Sequence, residues 1–163
     1  MFHSQGKAVL LWERNLTTRN PLHCQIQVLP LEASKGGSFI DELWIESVAK
    51  IVLDAAATQR GFRFTDIPAE QSLSDFAGNE DFLYTEVWPV NAKTPKRFGY
   101  VVRERRPQMQ FFHQAVGSLL ESDNAGNDWK ALQKSVEEET EITNAFREMF
   151  KPYDFTLPKE EGK

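Results

Sequence analysis

Residues 20–30 read NPLHCQIQVLP, and polar and apolar positions alternate along them. His23, Gln25 and Gln27 fall on one side of the alternation, Cys24, Ile26 and Val28 on the other. A period of two belongs to a strand, so the polar trio is expected to share one face and the apolar residues the opposite one. The expected strand runs Leu22–Leu29, with Pro30 closing it. Upstream, Lys7 to Glu13 (KAVLLWE) reads as a buried strand. The turn-rich RNLTTRNP between the two makes them an antiparallel pair. Phe82–Val87 and Arg97–Arg103 read as two further strands, joined through PVNAKTPK.

Elsewhere the period lengthens to that of a helix. After the flexible joint Lys35–Gly37, Phe39, Leu43, Trp44, Val48, Ile51, Val52 and Ala55 recur at steps of three and four, and Gly61 is placed to cap the helix. Phe62 to Gly78 reads as loop. A helix after Pro107 carries Met109, Phe112, Val116, Leu119 and Leu120. A last helix has Ser135 three residues before Glu138, the spacing of a capping box, and Glu137–Glu139 where the helix dipole favours acid. Its apolar face is Val136, Ile142, Phe146, Met149 and Phe150, and Pro152 stops it. Tyr153 and Phe155 are expected to pack back, and Lys159–Lys163 to stay loose. The expected class is α+β: an antiparallel sheet with packed helices.

Composition narrows the function. The 163 residues fit about one domain and are ordinary for a folded chain, 40% hydrophobic and 26% charged. Aromatics at 12% argue against disorder. One cysteine, Cys24, excludes an internal disulfide and a cysteine zinc cluster, and favours a reducing compartment. Three scattered histidines suggest no metal site, and no cofactor is implied. No apolar run reaches the roughly 18 residues of a membrane span. The formal charge of -5 gives no global reason to expect nucleic acid. Lys93, Lys96, Arg97, Arg103, Arg105 and Arg106 nevertheless stand against Glu104 alone, a local surplus that fits phosphate contacts or a solvated hairpin edge.

The His-x-Gln-x-Gln strand resembles the motif strand of the histidine triad superfamily, in which a middle histidine attacks a nucleotide phosphate. Here the middle position is Gln25, and an amide is no nucleophile, though Gln25 and Gln27 can hydrogen-bond a phosphate or ribose. WERN (Trp12–Asn15), RERRPQMQFFHQAVGSLL and FREMFKPYDFTLP (Phe146–Pro158) extend the likeness. Together they resemble the C-terminal region of the CwfJ-type (Cwf19-like) proteins, associated with the spliceosome and with intron-lariat turnover. The resemblance implies the C-terminal half of a histidine-triad-like domain over 1–62, a family-specific domain over 63–157 and a flexible tail at 158–163. It also implies a nuclear location. The chain departs from the family in Tyr100, where a histidine is expected, and in Phe112–His113, where the family has Phe-Gly. With the first half of the histidine-triad domain expected to be missing, the Lys7–Glu13 strand is expected to expose an edge that needs a partner strand.

The resulting expectation is a non-catalytic module that binds RNA or ribonucleoprotein, a branched lariat in particular. His23, Gln25 and Gln27 would hold a phosphate or ribose, Lys96, Arg97, Arg103, Arg105 and Arg106 would follow the backbone, and Tyr153 and Phe155 would stack on bases. In this reading Arg103 and Arg105 share a strand face. One alternative is a histidine-triad-type nucleotide hydrolase or transferase using His23. Another is a module that docks on a debranching enzyme or a splicing factor through its acidic helix and tail. His3 is expected to be unstructured, and His113 to be a surface or half-buried helix residue.

Overall fold

The apolar run KAVLLWERN forms strand β1 (Lys7–Asn15), and β1 is paired along both edges. The computed structural model describes residues 2–17, 26–32, 39–119 and 133–157, with backbone alone at 3, 32, 39–48, 118 and 119. On one side of β1 lies β2 (Ile26–Glu32), antiparallel, with Trp12 opposite Gln27 and Leu10 opposite Leu29. Across the other side runs β4 (Phe82–Trp88), and beyond it β5 (Lys96–Val101) and the two-residue β3 (Thr65–Asp66). The sheet is wholly antiparallel, in the order β2-β1-β4-β5-β3. The expected exposed edge of β1 is therefore corrected: β2 and β4 take both its ladders, and the open edges fall to β2 and β3.

Pro30 does not close its strand. It sits inside β2 opposite Val9, which an edge strand tolerates because an N–H facing away from the sheet has no ladder bond to lose. Four helices accompany the sheet among the described residues: α1 (Phe39–Thr58), α2 (Leu73–Ala77), α3 (Phe111–Leu119) and α4 (Val136–Phe150). The class is α+β. The stretch expected to be loop, Phe62–Gly78, holds β3 and α2, the latter capped by the Ser72 hydroxyl accepting from the Asp75 N–H. A five-residue helix is too short to show a period, so sequence pattern misses it. His3, expected to be unstructured, begins a short 3-10 turn, His3–Gln5. None of the helices is long and apolar enough to cross a membrane, among the described residues.

The core lies between one face of the sheet and helices α1 and α3. Among the α1 residues whose side chains are described, Ala49, Leu53 and Ala57, spaced by four, are buried, while Ile51 is 65% exposed. Of the expected apolar stripe, Val52 packs against the core and Ile51 and Ala55 are exposed, while the side chains of Phe39, Leu43, Trp44 and Val48 lie outside the described residues. Alanines let α1 approach closely, which longer side chains at the same face would prevent. The helix ends as expected: Gly61 has φ +79°, the Phe62 N–H reaches the Ala57 carbonyl and the Gly61 N–H that of Thr58. That pair of bonds is a Schellman motif, which needs a left-handed residue where Gly61 stands.

Aromatic rings join these elements. Phe111, at the first position of α3, is fully buried, with its ring centroid 5.1 Å from that of Phe62 and 5.9 Å from that of Phe64. Phe62 also stacks on Tyr100 of β5 at 4.4 Å, and Phe112 stacks on Trp12 of β1 at 6.0 Å. The expected α3 face named Phe112 and Val116 but not Phe111 or Ala115, which are equally buried. Met109, expected on that face, precedes the helix and is 64% exposed.

The opposite face of the sheet is covered at β4 and β5 by residues 67–77, where Ile67 and Ala77 pack against Phe82 and Tyr84. Gly99 permits this contact. A β-carbon there would lie 2.4 Å from Cε1 of Phe76 and 2.8 Å from Cδ1 of Ile67. Gly99→Ala is expected to destabilise the fold by about 1–3 kcal/mol, the usual range for overpacking, and to speed amide exchange in residues 67–77. Urea denaturation with hydrogen exchange checks this; an unchanged midpoint would mean the segment does not rest on β5.

Candidate nucleic-acid interface

Strand β2 turns its polar residue inward. Gln27 shares a face with Leu29 and Leu31, which pack on the core, whereas Ile26 and Val28 are 55% and 47% exposed. Pairing explains this: Gln27 lies opposite Trp12, whose side chain faces α3. In the described part of the NPLHCQIQVLP stretch, the apolar Ile26 and Val28 are thus on the outer face. His23 and Gln25, the other two polar positions, lie outside the described residues.

Gln27 borders a small, shallow cleft, about 20 Å³, lined by Trp12, Arg14, Gln27, Met109, Phe112 and His113. Trp12 is 8% exposed and already stacked on Phe112, so it forms floor rather than a free platform. The His113 ring stands edge-on to Trp12, centroids 6.3 Å apart, and is exposed, as expected for that position. Arg14 donates from its guanidinium to the Met109 carbonyl, which ties the end of β1 to the turn before α3. An amide, an imidazole and a guanidinium thus meet over an aromatic floor. Such a set can accept from and donate to a phosphate or a sugar hydroxyl. Sequence pattern pointed to Gln27 alone here. Arg14, Trp12 and His113 needed the Trp12–Gln27 register and the return of α3.

The structure divides the basic segment. Lys96 starts β5 and Arg103 lies two residues past its end, so they stand at opposite ends of a strand roughly 17 Å long. Arg97 reaches the face away from α1 and α3, donating to the Tyr84 hydroxyl at 2.9 Å and to the carbonyls of Pro68, Ala69 and Gln71 at 3.0–3.2 Å. It holds the covering segment in place. Burial, then donation to the Glu86 carboxylate, pushes the Tyr84 phenol up to about 12 and keeps its proton in this network. The shared strand face expected for Arg103 and Arg105 is corrected, since β5 stops at Val101. The chain bends at Arg103 and Glu104, and the Tyr100 hydroxyl, donating to the Arg105 carbonyl at 2.8 Å, fixes the bend.

Arg106 has a partner in Asp81, 3.8 Å away, and also donates to the Thr17 carbonyl. The Asp81 carboxylate accepts from the Thr17 N–H at 2.8 Å and hydroxyl at 2.6 Å. Those bonds, with Arg106, hold the Asp81 carboxyl below its ordinary 3.8, against the opposing effect of burial. The latch joins the end of β1 to the start of β4 and to the approach of α3.

Helix α4 begins with the expected capping box, Ser135 and Glu138 bonding reciprocally. It ends at Phe150 and passes through a 3-10 turn, Lys151–Tyr153, that contains Pro152. The expected packing of the tail is corrected for Phe155, which is 90% exposed: Asp154 accepts from the N–H and hydroxyl of Thr156, a tight turn that projects the ring outward. Tyr153 is half exposed, its hydroxyl 3.2 Å from that of Ser4. Ser4 precedes the start of β1, whereas the cleft lies toward its end, so the two aromatics do not converge on Gln27.

No family profile matches the chain. It is similar to CWF19-like protein 1 of Homo sapiens, 27% identical over 159 residues, and of Xenopus laevis, 25% over 158. The homologue in Caenorhabditis elegans is 26% identical over 164. Each match covers 96% of this chain and 26% of the relative, so the chain spans about a quarter of the length of the curated relatives it matches. The similarity to these Cwf19-like proteins runs over nearly the whole of this chain.

The latch predicts a pH dependence. Because the folded pKa of Asp81 is lowered, the unfolded chain takes up the proton first on acidification. Its stabilisation is therefore complete above about pH 4 and disappears as pH falls through the folded value. Urea midpoints should fall more steeply below about pH 4 in wild type than in Asp81→Asn, which starts less stable at neutral pH. Parallel curves would remove the latch from the account.

Proposed function

We propose that this chain is a non-catalytic RNA-binding module of a splicing-associated protein, with the Trp12–Arg14–Gln27–His113 cleft as its contact for a phosphate and ribose. The observation that carries the reading is the inward Gln27. Leu29 and Leu31 pack on the core and set which face of β2 is inward, and Gln27 is the polar residue of that face that borders the cleft. Arg14 and His113 supply donors suited to phosphate, and Arg103 and Arg105 lie past the end of β5. The similarity to Cwf19-like proteins and that family's link to intron-lariat turnover make RNA, and a branched RNA in particular, the ligand to test. A nuclear location goes with the same reading. Gln25, in place of the histidine-triad nucleophile, favours binding over phosphoryl transfer.

A second reading rests on α4. Ile142, Phe146 and Met149 are each 46% exposed or more, on a helix whose first turn is acidic. Such a face fits docking on a debranching enzyme or a splicing factor.

Fluorescence anisotropy with a branched 2′–5′ oligonucleotide and its linear counterpart tests the first reading. Arg14→Ala, Gln27→Ala and His113→Ala are each expected to weaken binding about tenfold, the scale of a single charge-assisted hydrogen bond. Unchanged affinity in all three would overturn it. RNA binding absent at low salt, with partner capture abolished by Phe146→Ala/Met149→Ala, would favour the second.

A further inference from the structure

Three arginines, Arg63, Arg103 and Arg105, lie on two stretches that meet at Phe62 and Tyr100, and Phe62 packs on Phe111 at the start of α3. Gly61 ends α1, and the Arg105 side chain lies across it, with Nε 3.7 Å and Cγ 3.9 Å from the point a β-carbon would occupy. Arg63 follows two residues later, exposed between the buried Phe62 and Phe64. Phe62 stacks on Tyr100, whose hydroxyl holds the Arg105 carbonyl, so the 61–63 stretch and the 103–106 bend are locked side by side. Arg103, also exposed, begins that bend. The cleft adjoins the same helix start: Phe111 packs on Phe62, Phe112 on Trp12, and His113 follows at once. Arg60 bonds Gln114 at 2.6 Å while its guanidinium lies 5.6 Å from the Phe111 ring centroid.

We propose that Arg63, Arg103 and Arg105 and the cleft form one track across the start of α3, occupied by an extended single strand. One nucleotide sits at the cleft, and the phosphates that follow it run over the arginines. This rests on the RNA reading above and deepens it. Arg97 and Arg106 take no part, since both serve the fold. Lys96 takes none either, standing at the far end of β5. Glu104 is the one acid within the 103–106 bend, against three arginines. A track of separated guanidinium groups with no enclosed pocket suits a repeating anion of regular spacing. It requires a strand several nucleotides long and does not serve a free nucleotide.

The test measures binding of a ribo-dinucleotide and of a ribo-decanucleotide over a salt series, with Arg63→Ala/Arg103→Ala, both exposed positions, beside Arg14→Ala. The arginine pair is expected to leave the dinucleotide unchanged and to weaken the decanucleotide about tenfold. Its salt slope should fall by about 0.7 for each phosphate no longer neutralised. Arg14→Ala should weaken both. If Arg14→Ala weakens both and the arginine pair changes neither, the track is overturned while the cleft stands. If neither oligonucleotide binds wild type, both readings fall. Polyglutamate of matched charge is the control: competition equal to that of the decanucleotide would overturn a strand-specific track in favour of an acidic peptide. Thermal unfolding of the double variant should match wild type.

Discussion

The Phe111 ring is the contact on which the rest of the structure depends. It is fully enclosed by Phe62 from the end of α1, Phe64 from the stretch leading into β3 and Phe112 beside it. Fixing that ring fixes where α3 begins and how it is rotated. Rotation places Phe112 and His113 toward Trp12 and turns Gln114 toward Arg60. A truncation there would cost about 3–5 kcal/mol by the usual scale for buried phenylalanine, a large part of a small domain's stability. The cleft and the arginine bend would lose their frame together.

Around this contact the same end of the sheet collects the chemistry. The C-terminal ends of β1 and β5 and the start of β4 meet there, because antiparallel neighbours put opposite ends of successive strands side by side. The Asp81–Thr17–Arg106 latch and the Arg14–Met109 bond tie those ends to α3. Arg97 and Arg106 thus bond within the fold, whereas Arg63 and Arg103 are exposed. Arginine suits both uses, since its planar fork of donors bonds carbonyls, carboxylates and phosphates alike. Charge counted along a chain cannot distinguish them.

The far end of the molecule has a different character. Helix α4 presents an apolar stripe to solvent above an acidic first turn, and the Asp154–Thr156 turn holds Phe155 outward. On the outer face of the sheet, Ile26 and Val28 add exposed apolar area on an open edge. The similar CWF19-like proteins are about four times as long as this chain.

The sequence by itself determined the elements whose periodicity is strong. An apolar run marked β1 and alternation marked β2, while β4 and β5 were read as strands on either side of a turn region. The three- and four-residue steps marked α1, and Ser135 with Glu138 marked a helix start that the structure closes as a capping box. Gly61 was legible because only a left-handed residue satisfies the carbonyls at that helix end. Local chemistry decides such features. What tertiary structure alone decided was direction and company. Period two says that Gln27 and Ile26 face opposite ways, but the pairing with Trp12 chose which way was inward. Period 3.6 allowed a stripe through Ile51, but the close approach of α1 chose Ala49, Leu53 and Ala57. Arg14, Arg63 and His113 became neighbours of the site only when strands and helices distant in sequence packed together, a meeting of residues far apart that no local pattern encodes.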